Sequence, residues 1–343
     1  MRCPTVKDLP LPPEGKTGWP WTVESPQEFK SESLSQSLPK MSIVTASYNQ
    51  GQFIEETIRS VLLQGYPNLE YIIMDGGSSD DSVAIIKKYE KWLAFWMSEK
   101  DEGQAAALNK GFSKATGQIL GWLNSDDIYQ PGALQTMGQH WMHHSDCHFL
   151  TGDGEIVNLE GECAHYIKAY EYSFKDLLRY HQDKYLPQPS VFFSREAFFG
   201  VGGLNPQLYI ALDVDLWLRI RRKYTLCYVQ MCTSKLRQHD EAKTWRNSDL
   251  GAKEIASVVR KYCREINLFE QFFIRIGSRF FYASTLCRRG LHEYLKGNRA
   301  EAIKLLKRAL CINPAIIFSL GTLKLCARVL FPKNMKKIFF HRT

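Results

Sequence analysis

Between residues 41 and 127, short apolar runs alternate with stretches whose apolar residues recur at helical spacing. Met41 to Ser47 reads as a strand giving out in Tyr48-Asn49-Gln50-Gly51, and Phe53 to Leu62 then carries apolar residues on a helical period. A second run, Leu69 to Met74, ends at Asp75-Gly76-Gly77-Ser78-Ser79-Asp80 and leads into a helical pattern from Val83 to Tyr89. A later apolar run through Gly121-Trp122-Leu123 meets Asn124-Ser125-Asp126-Asp127 and then Pro131-Gly132. Strand and helix in alternation predict crossover units and a mainly parallel sheet covered by helices, an α/β fold.

Open α/β sheets bind ligands at the carboxyl ends of their strands, where the polar residues closing each run stand. Asp126 and Asp127 are the most informative of these. A hard divalent cation takes oxygen ligands and a nucleoside diphosphate offers more of them, so paired acids there suit a metal bridging protein to pyrophosphate. Acids after a strand are also common in solvated turns and at helix starts, and taken alone the pair leaves both readings open. The Gly-Xaa-Gly-Xaa-Xaa-Gly fingerprint and the Gly-Lys-Ser/Thr P-loop are missing, against the two commonest nucleotide folds.

The order of the blocks carries more. Thr45-Ala46-Ser47-Tyr48-Asn49, Asp75 to Asp80, Asp101-Glu102-Gly103-Gln104 with Asn109-Lys110-Gly111, Ala115 to Ile119 and Leu123 to Asp127 follow one another. Pro187-Gln188-Pro189-Ser190, Gly202-Gly203-Leu204, Asp213-Val214-Asp215-Leu216-Trp217-Leu218-Arg219 and Arg237-Gln238-His239 come after them. Over about residues 41 to 245 this succession resembles the family 2 glycosyltransferases. The resemblance implies a GT-A fold, a mixed, mainly parallel sheet between helices, with a nucleotide-sugar half at 41–130 and an acceptor half at 131–250. It implies Mn²⁺ or Mg²⁺ on Asp126, with Asp127 the next ligand and His239 a further one, and Arg237 near phosphate oxygens. Thr45, Tyr48 and Asp75 would hold base and ribose, and Gln188 would lie near the donor sugar or the acceptor. Asn124 stands where many relatives carry Asp, keeping a hydrogen-bonding group for ribose but removing a charge. Gly76 departs from a second Asp in the same way. Asp213 matches the family's general base, with Asp215 the alternative, and one carboxylate without a second nucleophile implies single displacement with inversion. A helix N-cap for Asp213 and a surface histidine for His239 are the plainer roles.

Composition is that of an ordinary globular protein of 343 residues, room for one large domain and an appendage. No apolar run approaches the ~20 residues of a membrane span and Met1-Arg2-Cys3-Pro4 opens no signal peptide, so a cytoplasmic protein is expected. Nine cysteines, irregularly spaced and without a Cys-Xaa-Xaa-Cys pair, predict reduced, mostly buried thiols rather than a disulfide framework or zinc knuckle. His140, His143, His144 and His148 imitate metal spacing but lack an accompanying acid or cysteine signature. Residues 1–40 form a partly irregular arm, in which Gly18-Trp19-Pro20-Trp21 is expected to dock on the main domain, because two indoles are costly to leave in water.

Charge is uneven: residues 272–343 hold 15 Lys+Arg against 2 acids, whereas the whole chain is only +8. Arg275 and Arg279 sit among Phe272, Phe273, Ile274, Phe280 and Phe281, and Ile316 to Phe331 mixes apolar residues with Lys324 and Arg328. Such segments suit the anionic surface of a membrane, while no base-reading module points to nucleic acid. Within a basic helical region at 251–343, residues 290–314 resemble one tetratricopeptide-like hairpin, turning at Gly297-Asn298 and stopped by Pro314. Three functions stay open: an inverting transferase using a nucleotide-sugar donor, a UDP-sugar by analogy, to build cell-surface polysaccharide on a glycan or lipid-linked acceptor; a non-catalytic scaffold of the same fold; and a polyprenyl-phosphate glycosyltransferase.

Overall fold

The computed structural model describes residues 3–26, 38–144, 146–239 and 241–318. It divides into two compact units, one of Met1–Phe174 with Tyr185–Ala242, the other of Lys175–Lys184 with the chain from Lys243 onward.

The first unit is built on a nine-stranded mixed sheet. Strands β1 (Met41–Ser47), β2 (Leu69–Asp75), β3 (Phe95–Ser98) and β4 (Ile119–Trp122) are parallel, with β1 between β2 and β4. Helices α1 (Ile54–Leu62), α2 (Ser82–Tyr89) and α3 (Gln104–Lys114) make the crossovers. Strand β1 is buried on both faces, as a parallel strand between helices must be. Ile54, Ile58, Val61 and Leu62 of α1 join Ile43, Ile73 and Tyr71 of the sheet in one core. On α3, Gly111 lets helix and sheet close up, since a Cβ there would stand 2.5 Å from Val44 Cγ1.

After the short β5 (Ile128–Tyr129) and α4 (Ala133–His143) come β6 (Phe149–Val157), β7 (Cys163–Ile167), β8 (Val191–Ser194), α5 (Arg195–Gly200), α6 (Leu212–Arg221) and β9 (Leu226–Arg237). Antiparallel pairing enters here, through β4 with β8, β6 with β7 and β8, and β5 with β9, while β6 and β9 are parallel. Both β4 and β9 therefore point toward the edge where β1 and β2 end.

The arm is docked. Trp19 Nε1 donates to Tyr129 O at 2.8 Å, and Trp21 is buried. The guanidinium of fully buried Arg59 donates to the carbonyls of Pro10 (2.9 Å), Pro20 (3.1 Å) and Trp21 (2.7 Å), which offsets the cost of burying its charge.

The thiol expectation needs correction. Cys147 and Cys227 form a disulfide, Cα atoms 6.2 Å apart and 80 residues apart in sequence. The parallel register that sets Leu150 beside Cys227 brings them together, and no local spacing could signal it. Nor are the free thiols mostly buried: among the described residues only Cys263 and Cys287 are, while Cys163 and Cys311 are exposed.

In the second unit, α7 (Ser248–Tyr262), α8 (Leu268–Leu295) and α9 (Arg299–Ile312) follow one another. Helix α8 begins well before residue 290, so the expected hairpin is the end of a 28-residue helix turning back at Gly297, whose φ is +88°. Asn298 caps α9 by accepting from Glu301 N, and Pro314 starts a 3₁₀ turn after it. Ala283, Leu286, Ala302, Leu305, Leu306 and Ala309 make the hairpin's own core. Among the described residues no helix is long and apolar enough to cross a membrane. Of the basic apolar stretch from Ile316 to Phe331, the part from residue 319 on, with Lys324 and Arg328, lies outside the described residues.

Candidate nucleotide-sugar site

The loop after β4 is held from below before it offers anything to a ligand. Thr57 of α1 donates to Ser125 O (3.0 Å) and Asp127 O (2.8 Å), fixing its backbone. The Asn124 amide is its hub: Nδ2 donates to Asp127 Oδ2 (3.0 Å) and Gln188 Oε1 (2.9 Å), while Oδ1 accepts from Gln104 Nε2 (2.9 Å) and Trp122 Nε1 (2.8 Å). Gln188, nearly buried, also donates to Trp122 O at 2.6 Å. Both ends of Asn124 are thus spent inside the protein rather than on a ribose. An Asp in its place would lack the two donors and set a carboxylate against Asp127, so this network requires the departure from the family pattern.

The two adjacent acids part company. Asp127 is buried and accepts from Asn124 and from Arg237 N at 3.0 Å. Burial, and then the neighbouring Asp126 charge, push its carboxyl well above the usual carboxylate range. Asp126 instead meets the imidazole at the end of β9, with His239 Nε2 3.1 Å from Asp126 Oδ2. Phe53 braces the ring, centroids 4.6 Å apart. An oxygen and a nitrogen 3.1 Å apart match neighbouring corners of a shell of metal bonds about 2.1 Å long. A carboxylate with an imidazole suits Mn²⁺ and also Mg²⁺ with more water, so Asp126 and His239 fit a divalent cation, whereas Asp127 is turned inward. Arg237 is committed too: Nε donates to Asp126 O (3.1 Å) and one terminal nitrogen to Glu56 (2.9 Å). It positions the Asp126 loop, which differs from the phosphate contact expected of it.

At the ends of β1 and β2 the expected base and ribose residues also separate. Thr45 is fully buried, its hydroxyl 3.1 Å from that of Tyr71. Asp75 is buried and accepts from Gly77 N, Ser78 N, Ser78 Oγ and Ser98 Oγ, so it shapes the turn, in which Gly77 has a φ of +78°. Tyr48 is exposed. A Cβ on Gly76 would lie 2.7 Å from Asp101 Oδ2 and 3.4 Å from the Tyr48 ring. Bare backbone at 76 therefore lets Asp101 and the Tyr48 ring approach the same spot. In the sequence the Asp101-Glu102-Gly103 block is the one signal for Asp101.

On α6, Asp215 is buried and held by Arg219 through Nε (2.8 Å) and a terminal nitrogen (2.7 Å). Asp213 lies in the first turn, half-buried, with one oxygen accepting from Val214 N at 2.8 Å. The His140 cluster gains unexpected company: His140 lies within 4.8 Å of the sulfurs of Cys147 and Cys227, but these are bonded to each other. His144 stacks on His140 at 4.0 Å.

Residues 42–199 match the family described as glycosyl transferase family 2. These residues form a domain of this family. Over 117 residues the chain is 35% identical to Bacillus subtilis TuaG, named for teichuronic acid biosynthesis, a match covering 33% of this chain and 46% of TuaG. Two solved glycosyltransferases share its fold at low identity. S. aureus TarS 1–349 in complex with UDP-GlcNAc superposes with a TM-score of 0.52 at 14% identity, over 79% of this chain and 90% of that one. The mannosyltransferase PcManGT from Pyrobaculum calidifontis, solved with GDP-Man and Mn²⁺, gives 0.55 at 16% identity, over 87% and 89%. The chain is accordingly a transferase carrying a family 2 domain, and its first unit has the GT-A fold.

Proposed function

We propose that this enzyme transfers a sugar, with inversion, from a nucleotide-diphosphate donor, a UDP-sugar, to a hydroxyl of a glycan or lipid-linked acceptor in the making of cell-surface polysaccharide. The Asp126–His239 pair at the ends of β4 and β9 carries the reading, because it fits a cation that a diphosphate would share. Tyr48 and Asp101, both close to the Gly76 backbone, would flank base and ribose. A complex of TarS with UDP-GlcNAc, one of PcManGT with GDP-Man and Mn²⁺, and the naming of TuaG for teichuronic acid synthesis support donor class, metal and pathway class. A cytoplasmic location, at the inner face of the membrane, goes with this reading.

Bound Mn²⁺ or Mg²⁺ would supply positive charge to the diphosphate leaving group. The chain's own residues prepare the rest. Thr57, Asn124, Gln188 and Arg237 hold the Asp126 loop rigid. Asp213 accepts the proton of the acceptor hydroxyl as that oxygen bonds to the anomeric carbon and the bond from that carbon to the diphosphate oxygen breaks. Asp215, its charge taken up by Arg219, is the poorer base of the two. With no covalent intermediate, one displacement inverts the anomeric centre.

Asp213→Asn tests this. The change keeps shape and removes the basic oxygen, so turnover should fall by about 10²-fold or more while calorimetric donor affinity stays near the parent's. Undiminished transfer would remove Asp213 from the reaction and favour a phosphate acceptor, which needs no strong base. Absence of transfer in the parent with every donor and acceptor tried would leave the scaffold reading.

A further inference from the structure

Helix α8 carries an apolar face that its own unit leaves uncovered. Leu268, Phe269, Phe272, Phe273, Ile276 and Phe280 are between 43% and 82% exposed. At about 100° per residue these six fall within an arc of about 140°, spread over about 18 Å of helix. Gln271, Ile274 and Ser278 on the opposite side are buried, so the helix does have an inward face and these residues are not part of it. Phe269 and Phe273 pack edge to face on each other at 4.9 Å, and Phe272 lies 5.6 Å from Phe273. Contiguous aromatic surface of this kind is costly in water and marks a docking face.

The charges bordering the face select its partner. Arg275 and Arg279 are exposed along its edge; Arg275 donates to Gln271 Oε1 at 3.1 Å and Arg279 Nε to Ile312 O at 3.1 Å. Glu270 is the only acid from residue 266 to residue 292, and Lys175 (3.0 Å) and Arg179 (3.6 Å) already neutralise it. A row of exposed phenylalanines rimmed by arginine, with its helix segment's one acid already paired, would demand of a protein partner a pocket shaped to the rings. A bilayer needs none: it deforms around the rings while its anionic headgroups meet the guanidinium groups.

We propose that this face of α8 binds an anionic lipid surface peripherally, the rings entering the headgroup boundary and Arg275 and Arg279 pairing with lipid phosphate. Its use, to hold the enzyme beside a lipid-linked acceptor, rests on the function proposed above; the docking itself does not.

Flotation of the full chain with vesicles of phosphatidylglycerol and phosphatidylcholine, and with phosphatidylcholine alone, tests it. The parent should float with the anionic vesicles, less in high salt, and little with the neutral ones. Phe269→Asp with Phe273→Asp, both exposed and so harmless to folding, should lower partitioning about tenfold or more. Arg275→Glu with Arg279→Glu should remove the preference for anionic lipid, and Phe269→Leu with Phe273→Leu should retain binding. Flotation unchanged in both charged variants would overturn the proposal and assign attachment to residues beyond 318. So would a parent that does not float but is a dimer in light scattering and turns monomeric with the Phe269→Asp, Phe273→Asp pair, because a second copy would then cover the face. Donor hydrolysis assayed on the same variants separates the two readings, since loss of transfer leaves flotation untouched.

Discussion

Asn124→Asp introduces the acid that the family resemblance implies at this position and should nonetheless weaken this protein. The substitution keeps the shape and the accepting oxygen bonded to Gln104 and Trp122. The amide nitrogen becomes an oxygen, facing Asp127 Oδ2 across 3.0 Å and Gln188 Oε1 across 2.9 Å. Each lost donor leaves a buried acceptor unpaired, at about 1–3 kcal/mol apiece. Gln188 can turn its amide to meet the new oxygen only by giving up its 2.6 Å bond to Trp122 O. Two carboxylates this close hold one proton between them, and burial already pushes Asp127 upward. With one site partly recovered, a loss of about 3 kcal/mol at pH 7 is expected. The folded variant binds more protons than its unfolded chain, so its deficit against the parent should shrink as pH falls from about 7 to 5. Urea unfolding of both proteins at each pH measures this. A variant within about 0.5 kcal/mol of the parent at pH 7 would mean that the amide is not the hub of the loop.

Two further outcomes are expected. Asp126→Ala and His239→Ala should each remove most of the Mn²⁺-dependent part of UDP binding in calorimetry while leaving the fold intact; equal Mn²⁺ dependence in parent and variants would place the cation elsewhere. Glu70 gives an acid limb: burial raises its carboxyl, but bonds from Lys40, Ser42 and Thr116 outweigh that and bring it from 4.5 down to about 2. Its contribution is therefore complete above 4.5 and lost as pH falls toward about 2, so Glu70→Gln should be less stable at neutral pH and lose less on acidification through that window. Parallel stability curves for Glu70→Gln and parent would refute that assignment.

In the parallel half β1, β2 and β4 were legible by period, and β1–β2 and β2–β3 join chain neighbours through a crossover, whereas the short β3 carried no such pattern and β1 meets β4 across two intervening strands. The antiparallel half was less so, since β6 meets β8 and β9 by contacts that run far along the chain. The same long-range pairing made the Cys147–Cys227 bond and brought His140 to it. Helix α8 outran its expected start because the pattern read between 290 and 314 was only where the helix turns back.

By itself the sequence determined the kinds of residue available at the strand ends and their order, and that order was enough to point to the family. It could not say which way each side chain turns. Asp126 and Asp127 are neighbours of the same chemistry, yet one meets His239, 113 residues away, and the other is sealed against Arg237 N, 110 residues away. Thr45, Asp75, Asn124 and Arg237 likewise became supports of the loops, because buried polar groups must find partners and the nearest partners came from other segments. Tertiary structure decided the split between residues left to meet a ligand and residues spent on holding them, since burial and hydrogen-bond satisfaction are properties of the packed whole rather than of local spacing.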